Sequence, residues 1–244
     1  MNACKYILTD IEGTTSDIRF VKETLFPYAA EHLPQFIRQN DSQEVVKEQL
    51  VLAAEDLGCN VDDLDTLIAG LLSWIEADLK KTPLKALQGQ IWKAGYLNGN
   101  FTGHLYEDAY ENLKNWSTGG YTLGVYSSGS VAAQRLLFGY SDFGDLTPLF
   151  SDYFDTRVGH KREVGAYQKI SQILVDKARI GQAKEVLFLS DVVEELDAAK
   201  AASMQTAELR RDGRAGSGRH PCFETFDQLS LHFSINTSSV NIAP

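Results

Sequence analysis

The hydrophobic pattern of the chain contains four short apolar runs that end at polar residues, as buried strands of a parallel sheet do. Amphipathic helical spacing fills the intervals between them, as in residues 105–116 and 164–174. The four runs occupy residues 6–9, 121–126, 186–189 and, less clearly, 206–209. This alternation predicts an α/β fold with a Rossmann-like parallel sheet core and crossover helices.

A long segment after the first run departs from this alternation, because it has helical spacing and no convincing strand. Apolar stripes lie at residues 46–57, with Gly58 as the predicted helix end, and at residues 64–79. We therefore predict a helical cap domain at residues 16–103. The Rossmann-like core would then comprise residues 1–15 and 104–244. Gly181 is predicted to end the helix that precedes the third run.

Composition narrows the functional classes. The 244 residues are 43% hydrophobic and 23% charged, which suits a globular protein with a sizeable core. A formal net charge of -10 argues against a general nucleic-acid binder or an anionic-membrane binder, because polyanions are repelled on average. The three cysteines form no C-x-x-C pair, so neither a disulfide framework nor a zinc site is indicated.

The start of the chain has too short an apolar run for a signal-peptide core, since only Tyr6, Ile7 and Leu8 are consecutive apolar residues. No later segment reaches the apolar length that a membrane span needs. With its unpaired cysteines, the chain is expected to be a cytoplasmic protein without a membrane partner.

Candidate chemistry lies where the predicted strands end, because ligands of open α/β sheets bind beyond the carboxyl ends of the strands. Residues 10–15 follow the first run and residues 127–130 follow the second. Lys161 precedes a predicted helix, and Asp191 follows the third run. In chain order the clusters therefore supply carboxylates, hydroxyls, an amine and a carboxylate.

This set suits phosphoryl transfer. The two charges of a phosphate monoester must be neutralised before a carboxylate can attack it. Mg²⁺ prefers oxygen ligands, and Asp10 and Asp191 could supply them from neighbouring loops. Lys161 would add a positive charge, while the Ser127 hydroxyl and the N–H groups of Ser128 and Gly129 would donate hydrogen bonds to the phosphate.

The four clusters, in this order and with a helical insert after the first, resemble the haloacid dehalogenase superfamily. Within it, the chain is similar to the enolase-phosphatases (acireductone synthases) of methionine salvage, since Glu12 stands where most superfamily phosphatases have a second Asp. The matching segments are residues 10–15, 26–28, 87–92, 125–130 and 154–156, and the similarity runs from about Tyr6 to Ala202.

The resemblance implies a role for each candidate residue. Asp10 would be both the nucleophile and a Mg²⁺ ligand, while Glu12 would be the acid/base and offer its backbone carbonyl to the metal. Asp191 would complete the protein ligands, with Glu195 supporting the metal indirectly. Ser127, Ser128 and Lys161 would hold the phosphate.

The resemblance also implies a substrate, the phosphorylated diketone 2,3-diketo-5-methylthiopentyl-1-phosphate. The enzyme would enolise it and then remove its phosphate to give an acireductone. A monomer is expected from the same resemblance.

Two positions depart from the family pattern. Ser190 precedes Asp191 where many superfamily members have Gly, and residues 210–214 do not reproduce the expected Arg-Pro-Gly sequence. The contacts that the resemblance would imply for that second segment are therefore not assigned to its residues.

Simpler interpretations exist for each cluster. A lone Asp-x-Glu often only caps a turn, Ser127 to Ser130 could be only a helix N-cap, and Lys161 could be solvated. Asp191 could be an acid favoured at a helix start. The core clusters also fit another capped phosphatase or a phosphomutase acting on a sugar phosphate. A silent binding protein is disfavoured, because the nucleophile and the metal ligands are retained.

Overall fold

A computed structural model describes residues 4–235. The chain divides into two compact units. One combines the residues up to Ile18 with those from Gly103 onward, and the other is Arg19–Thr102. Each unit is described by itself below.

The Arg19–Thr102 unit is helical. Its chain enters through α1 (Ile18–Phe20) and a π-helical turn at Val21–Leu25. The longer helices are α2 (Phe26–Asn40), α3 (Glu44–Leu57), α4 (Leu64–Glu76) and α5 (Thr82–Leu97). Their apolar stripes pack into one core, which includes Leu33, Leu50, Leu71 and Leu87. An amphipathic helix is stable only when its apolar face is covered by other residues, so the four helices stabilise one another.

The other unit is built on a six-stranded parallel sheet, so the predicted fold class is confirmed. The strands are β1 (Tyr6–Thr9), β2 (Thr122–Tyr126), β3 (Phe150–Phe154), β4 (Val186–Ser190), β5 (Gln205–Leu209) and β6 (Cys222–Phe223). Their spatial order is β3-β2-β1-β4-β5-β6. The sequence pattern did not predict β3 or β6.

Helices cover this sheet. They are α6 (Glu107–Thr118), α7 (Val131–Gly139), α8 (Val164–Asp176), α9 (Val193–Ala201) and α10 (Phe226–Phe233). Short 3₁₀ turns lie at Thr147–Leu149 and Ala183–Glu185. All residues of β1 and β4 are buried although successive side chains point to opposite faces, so both faces of the sheet centre are covered.

The helix ends show where local signals were sufficient. Gly58 caps α3 in the left-handed conformation, as predicted. The prediction for Gly181 is wrong, because α8 ends at Asp176 and Ala178 takes the left-handed conformation with φ 55°.

Two general properties of the described residues bear on the composition argument. No helix between residues 4 and 235 combines the length and the apolar character needed to cross a bilayer. Cys4, Cys59 and Cys222 are all free thiols.

Candidate active site

The sheet order brings three of the predicted clusters to one edge. β1 pairs with β2 on one side and with β4 on the other, in register from Tyr6 to Thr9. Asp10 directly follows β1, Ser127 follows β2 and Asp191 follows β4. Because the strands are parallel, all three residues lie at the carboxyl edge of the sheet.

The loop after β1 is a tight turn organised on one carbonyl. The N–H groups of Thr14, Thr15 and Ser16 donate to the oxygen of Ile11 over 3.1, 2.9 and 2.9 Å. The Thr15 hydroxyl donates to the Asp10 carbonyl over 3.3 Å. These bonds fix the peptide units on either side of Glu12, so the two acids of the first cluster are carried by an ordered backbone.

Lys161 reaches this loop from the segment before α8. Its Nζ atom lies 2.6 Å from Asp10 Oδ1 and 2.7 Å from Glu195 Oε2. The Tyr167 hydroxyl donates to the Lys161 carbonyl over 2.7 Å, and the Tyr126 ring centre is 5.6 Å from Nζ. Lys161 is therefore buried at the site and fixed at both its backbone and its ammonium group.

Within the group formed by Asp10, Lys161, Asp191 and Glu195, three carboxylates are opposed by one ammonium. Burial and the charge of Asp10 raise the pKa of Glu195 to about 7, although Lys161 opposes the shift. Burial alone would lower the pKa of Lys161, but the charges of Asp10 and Glu195 outweigh it and raise that pKa. Lys161 thus pairs directly with Asp10 and Glu195. Its charge also acts on Asp191, where it lowers the pKa against the effects of burial and of Asp10.

Asp191 has a buried carboxylate oxygen that is suited to binding a cation. Its Oδ1 atom is buried and has no hydrogen-bond partner. Burial, followed by the charge of Asp10, raises the pKa of this carboxyl group to about 7. A bound cation would satisfy the buried oxygen and offset the excess charge, so Asp10 and Asp191 fit Mg²⁺.

The described residues contain no cluster of three or more His, Cys, Asp or Glu side chains arranged to hold a metal. Mg²⁺ does not need one, because it commonly takes one or two carboxylates and completes its shell with water, substrate oxygen or a backbone carbonyl.

The serine cluster forms a turn that opens α7. Ser127 is buried, its N–H donates to the Phe154 carbonyl over 3.2 Å, and its hydroxyl accepts from the Gly129 N–H over 3.2 Å. Ser130 caps the helix by accepting from the Ala133 N–H over 3.2 Å. Since β2 neighbours β1, this helix N-terminus lies at the same sheet edge as Asp10.

The chain matches a family model for haloacid dehalogenase-like hydrolases over residues 4–203. It is 53% identical to Enolase-phosphatase E1 of Pectobacterium atrosepticum over 93% of this chain and 97% of that protein. It is also 53% identical to Enolase-phosphatase E1 of Pseudomonas fluorescens, over 86% of this chain and 90% of that protein.

The chain belongs to the enolase-phosphatase family of haloacid dehalogenase-like hydrolases. The resemblance found in the sequence is thereby confirmed. The fold agrees with a solved relative, the UTR4 protein (Unknown transcript 4 protein) of Saccharomyces cerevisiae, with a TM-score of 0.75 and 35% identity. That match covers 92% of this chain and 99% of the yeast chain.

Ser190, which departs from the superfamily pattern, has a defined place in this enolase-phosphatase. Its hydroxyl donates to Glu195 Oε2 over 3.0 Å and accepts from the Val192 N–H over 3.1 Å. Glycine could make neither bond. Ser190 therefore orients the same carboxylate oxygen that meets Lys161.

Sequence reasoning missed several residues at this edge. Tyr126 and Tyr167 lie in a predicted strand and a predicted helix and were given no role at the site, yet they contact Lys161. Arg210 and Arg211 were given no role in the sequence, whereas Arg210 Nη1 donates to the Asp191 carbonyl over 3.3 Å. The only available signal was a pair of arginines directly after a strand.

Proposed function

We propose that this enzyme enolises 2,3-diketo-5-methylthiopentyl-1-phosphate and then hydrolyses its phosphate ester to give an acireductone. The observation that carries the proposal is the buried Lys161–Asp10 pair at the carboxyl edge of the sheet. A carboxylate in that position can attack phosphorus, and the ammonium can neutralise phosphoryl oxygens. The enolase-phosphatase relatives support the choice of substrate.

We assign Mg²⁺ as the cofactor and Asp10, Asp191 and the backbone carbonyl of Glu12 as its protein ligands. The unpartnered buried oxygen of Asp191 and the surplus of carboxylates support this assignment. When bound, Mg²⁺ would neutralise phosphate charge and could polarise a substrate carbonyl as a Lewis acid.

The first half of phosphoryl transfer belongs to Asp10 and Glu12. An Asp10 carboxylate oxygen attacks phosphorus, a new P–O bond forms and the ester P–O bond breaks. The departing enolate oxygen takes a proton from the Glu12 carboxyl group. The products of this half are an aspartyl phosphate on Asp10, the free acireductone and an ionised Glu12.

The second half returns the enzyme to its starting state. Glu12 removes a proton from a water molecule as that water attacks phosphorus, and the bond between phosphorus and Asp10 breaks. Inorganic phosphate leaves, with Asp10 ionised and Glu12 protonated again. Lys161, Ser127 and the N–H groups of Ser128 and Gly129 would bind the phosphoryl oxygens in both halves.

The proposed enzyme has two domains. We propose residues 16–103 as the cap domain and residues 1–15 and 104–244 as the catalytic core. We further propose that the enzyme is cytoplasmic and that it acts as a monomer. Sedimentation equilibrium of the purified chain would test the monomeric state.

Turnover of the synthetic diketone phosphate tests the function. With Mg²⁺ present, we expect enol absorbance to rise before phosphate release, because enolisation precedes hydrolysis. Sugar phosphates, supplied with and without a bisphosphate primer, are the comparison substrates. Efficient turnover of a sugar phosphate together with inert diketone phosphate would assign the enzyme to the alternative class of capped phosphatases or mutases.

A further inference from the structure

Two consecutive arginines after β5 contact two different loops of the site. Arg210 Nη1 donates to the carbonyl of Asp191, in the loop after β4. Arg211 donates to the carbonyl of Thr14, in the loop after β1, from Nε over 3.0 Å and from Nη2 over 2.8 Å. The end of β5 is thereby connected to both acid-bearing loops.

The Arg211 guanidinium is held on every side. Its side chain is only 9% exposed, and Nη1 lies 2.6 Å from Asp108 Oδ2. Nη1 also donates to the Glu224 carbonyl over 3.2 Å. The guanidinium carbon is 4.3 Å from the Tyr106 ring centre and 5.0 Å from that of Phe226. A planar cation stacked and hydrogen-bonded in this way has one orientation.

The partners of Arg211 are themselves anchored. Asp108 Oδ2 accepts a second bond, from the Phe226 N–H, over 2.7 Å. The Tyr106 N–H donates to the Thr15 carbonyl over 3.0 Å. Arg211 therefore connects the loop after β1 to the start of α6 and to the start of α10.

The carbonyl that Arg211 holds is two residues from the proposed acid/base. Thr14 also bonds through its N–H to Ile11, so the Ile11–Thr14 turn is fixed at one end by β1 and at the other by Arg211. Without the guanidinium, the Thr14 carbonyl would be held less firmly and Glu12 could shift relative to the substrate. A displacement of about 1 Å can cost about 100-fold in rate.

We infer that Arg211 is a positioning residue for Glu12, acting through the Thr14 carbonyl with Asp108 as its counterion. The inference rests on the proposed phosphatase function of that loop. Arg211 lies beyond the residues that match the superfamily model, which end at 203. The segment after β5 would therefore contribute to catalysis without touching the substrate.

Arg211→Ala, Arg211→Lys and Asp108→Asn test this inference, with Arg214→Ala as the matched control. Arg214 belongs to the same loop and its side chain is 81% exposed. We expect kcat to fall about 100-fold in Arg211→Ala and about tenfold in Arg211→Lys, with KM changed less than about threefold. Asp108→Asn should lower kcat more weakly, because its amide oxygen can still accept from Phe226.

Chemical rescue separates positioning from a general loss of structure. Guanidinium ion at non-denaturing concentration should raise the kcat of Arg211→Ala by at least about tenfold. It should leave the kcat of Arg214→Ala unchanged. With a generic aryl phosphate as substrate, whose good leaving group needs no proton from Glu12, Arg211→Ala should also hold more phosphoenzyme than wild type after an acid quench, because a displaced Glu12 slows attack by water. The unfolding midpoint of each variant, followed by circular dichroism, reports the folded fraction.

Two outcomes would overturn the inference. One is a folded Arg211→Ala enzyme whose kcat stays within about threefold of wild type. The other is a loss of activity that follows the folded fraction, with no rescue. If Arg211→Ala does not fold, the kcat and phosphoenzyme level of Arg211→Lys, whose expected loss is about tenfold, decide by the same criteria.

Both the diketone phosphate and a generic aryl phosphate should be used as substrates. Wild-type turnover of the aryl phosphate alone would refute the proposed substrate while still allowing Arg211 to be tested.

Discussion

Lys161 and Asp10 are 151 residues apart in the chain, yet Nζ and Oδ1 are separated by 2.6 Å. Both side chains are 7% exposed. The sheet brings the end of β1 to this place, and the segment before α8 brings the lysine. Removing one partner of such a pair leaves a buried charge without its counterion, so both side chains are needed for a stable site.

We predict that Lys161→Met lowers the rate of phosphate release by about 100-fold to 1,000-fold, because a preorganised charge on the transition state is lost. The variant should fold with a lower unfolding midpoint, since Asp10 and Glu195 lose their shared cation. Phosphate release from the diketone phosphate is the measurement, and Lys169→Met, at an exposed position of α8, is the control. Near-normal turnover by Lys161→Met would remove the lysine from the mechanism.

We predict that the two acids of the first loop fail differently. Asp10→Asn should form neither phosphoenzyme nor free phosphate, because the attacking charge is gone. Glu12→Gln should accumulate an adduct on Asp10, because water is no longer activated. Each variant is mixed with substrate and Mg²⁺, quenched in acid within seconds, digested and analysed by mass spectrometry.

The adduct experiment uses two substrates. Glu12 should also protonate the leaving oxygen, so slow formation could hide the adduct in Glu12→Gln, and an aryl phosphate with a good leaving group is the matched control. The mechanism is refuted by an adduct on another residue or by full phosphate release from Asp10→Asn.

We predict a pH-dependent metal effect from the raised pKa of Asp191. A carboxyl group whose pKa is about 7 when folded, and near 3.8 otherwise, destabilises the metal-free protein increasingly as pH rises from about 4 through 7. Asp191→Asn should therefore raise the free energy of unfolding in chelator by about 1 kcal/mol at about pH 8, and by little at about pH 5. Chemical denaturation at the two pH values measures the difference.

Added Mg²⁺ should remove the stability advantage that Asp191→Asn has over wild type in chelator at the higher pH. Wild-type protein should gain stability from Mg²⁺ at the higher pH and less at the lower pH, where a proton competes for Asp191. Asp191→Asn should gain little at either pH. Equal Mg²⁺ stabilisation of both proteins would show that Asp191 is not a ligand.

We predict that Gly13 cannot be replaced without damage to the site. Its φ is 72°, and an added Cβ would lie 2.3 Å from Asp191 Oδ2. Gly120 has φ 87° and open space around an added Cβ, so it is the matched control. Both alanine variants should lose about 1–2 kcal/mol of stability from the backbone, but only Gly13→Ala should also lose activity and Mg²⁺ affinity. Unfolding and turnover are measured together, and full activity in Gly13→Ala would contradict the close packing.

One of the two strands that the sequence pattern did not predict, β3, shows the limit of apolar periodicity. β3 lies at one edge of the sheet, and its five residues include Ser151 and Asp152. Asp152 is buried, and the cost of burying its charge is offset because Tyr6 donates to it over 3.2 Å and Lys177 pairs with it. A buried acid with distant partners has no signature in local hydropathy.

The sequence alone determined the class of fold, the helical insert, the candidate acids and the family, because burial on both faces of a strand and short motifs at strand ends are local properties. Only the tertiary structure decided which groups meet. The contact of Lys161 with Asp10 and Glu195 depends on strand order and on how a distant segment packs. The reach of Arg211 to Thr14 spans 197 residues. A buried charged group is stable only when it is paired, so folding brings such groups into contact with partners that are distant in the chain. Residue spacing does not predict which partner each group contacts.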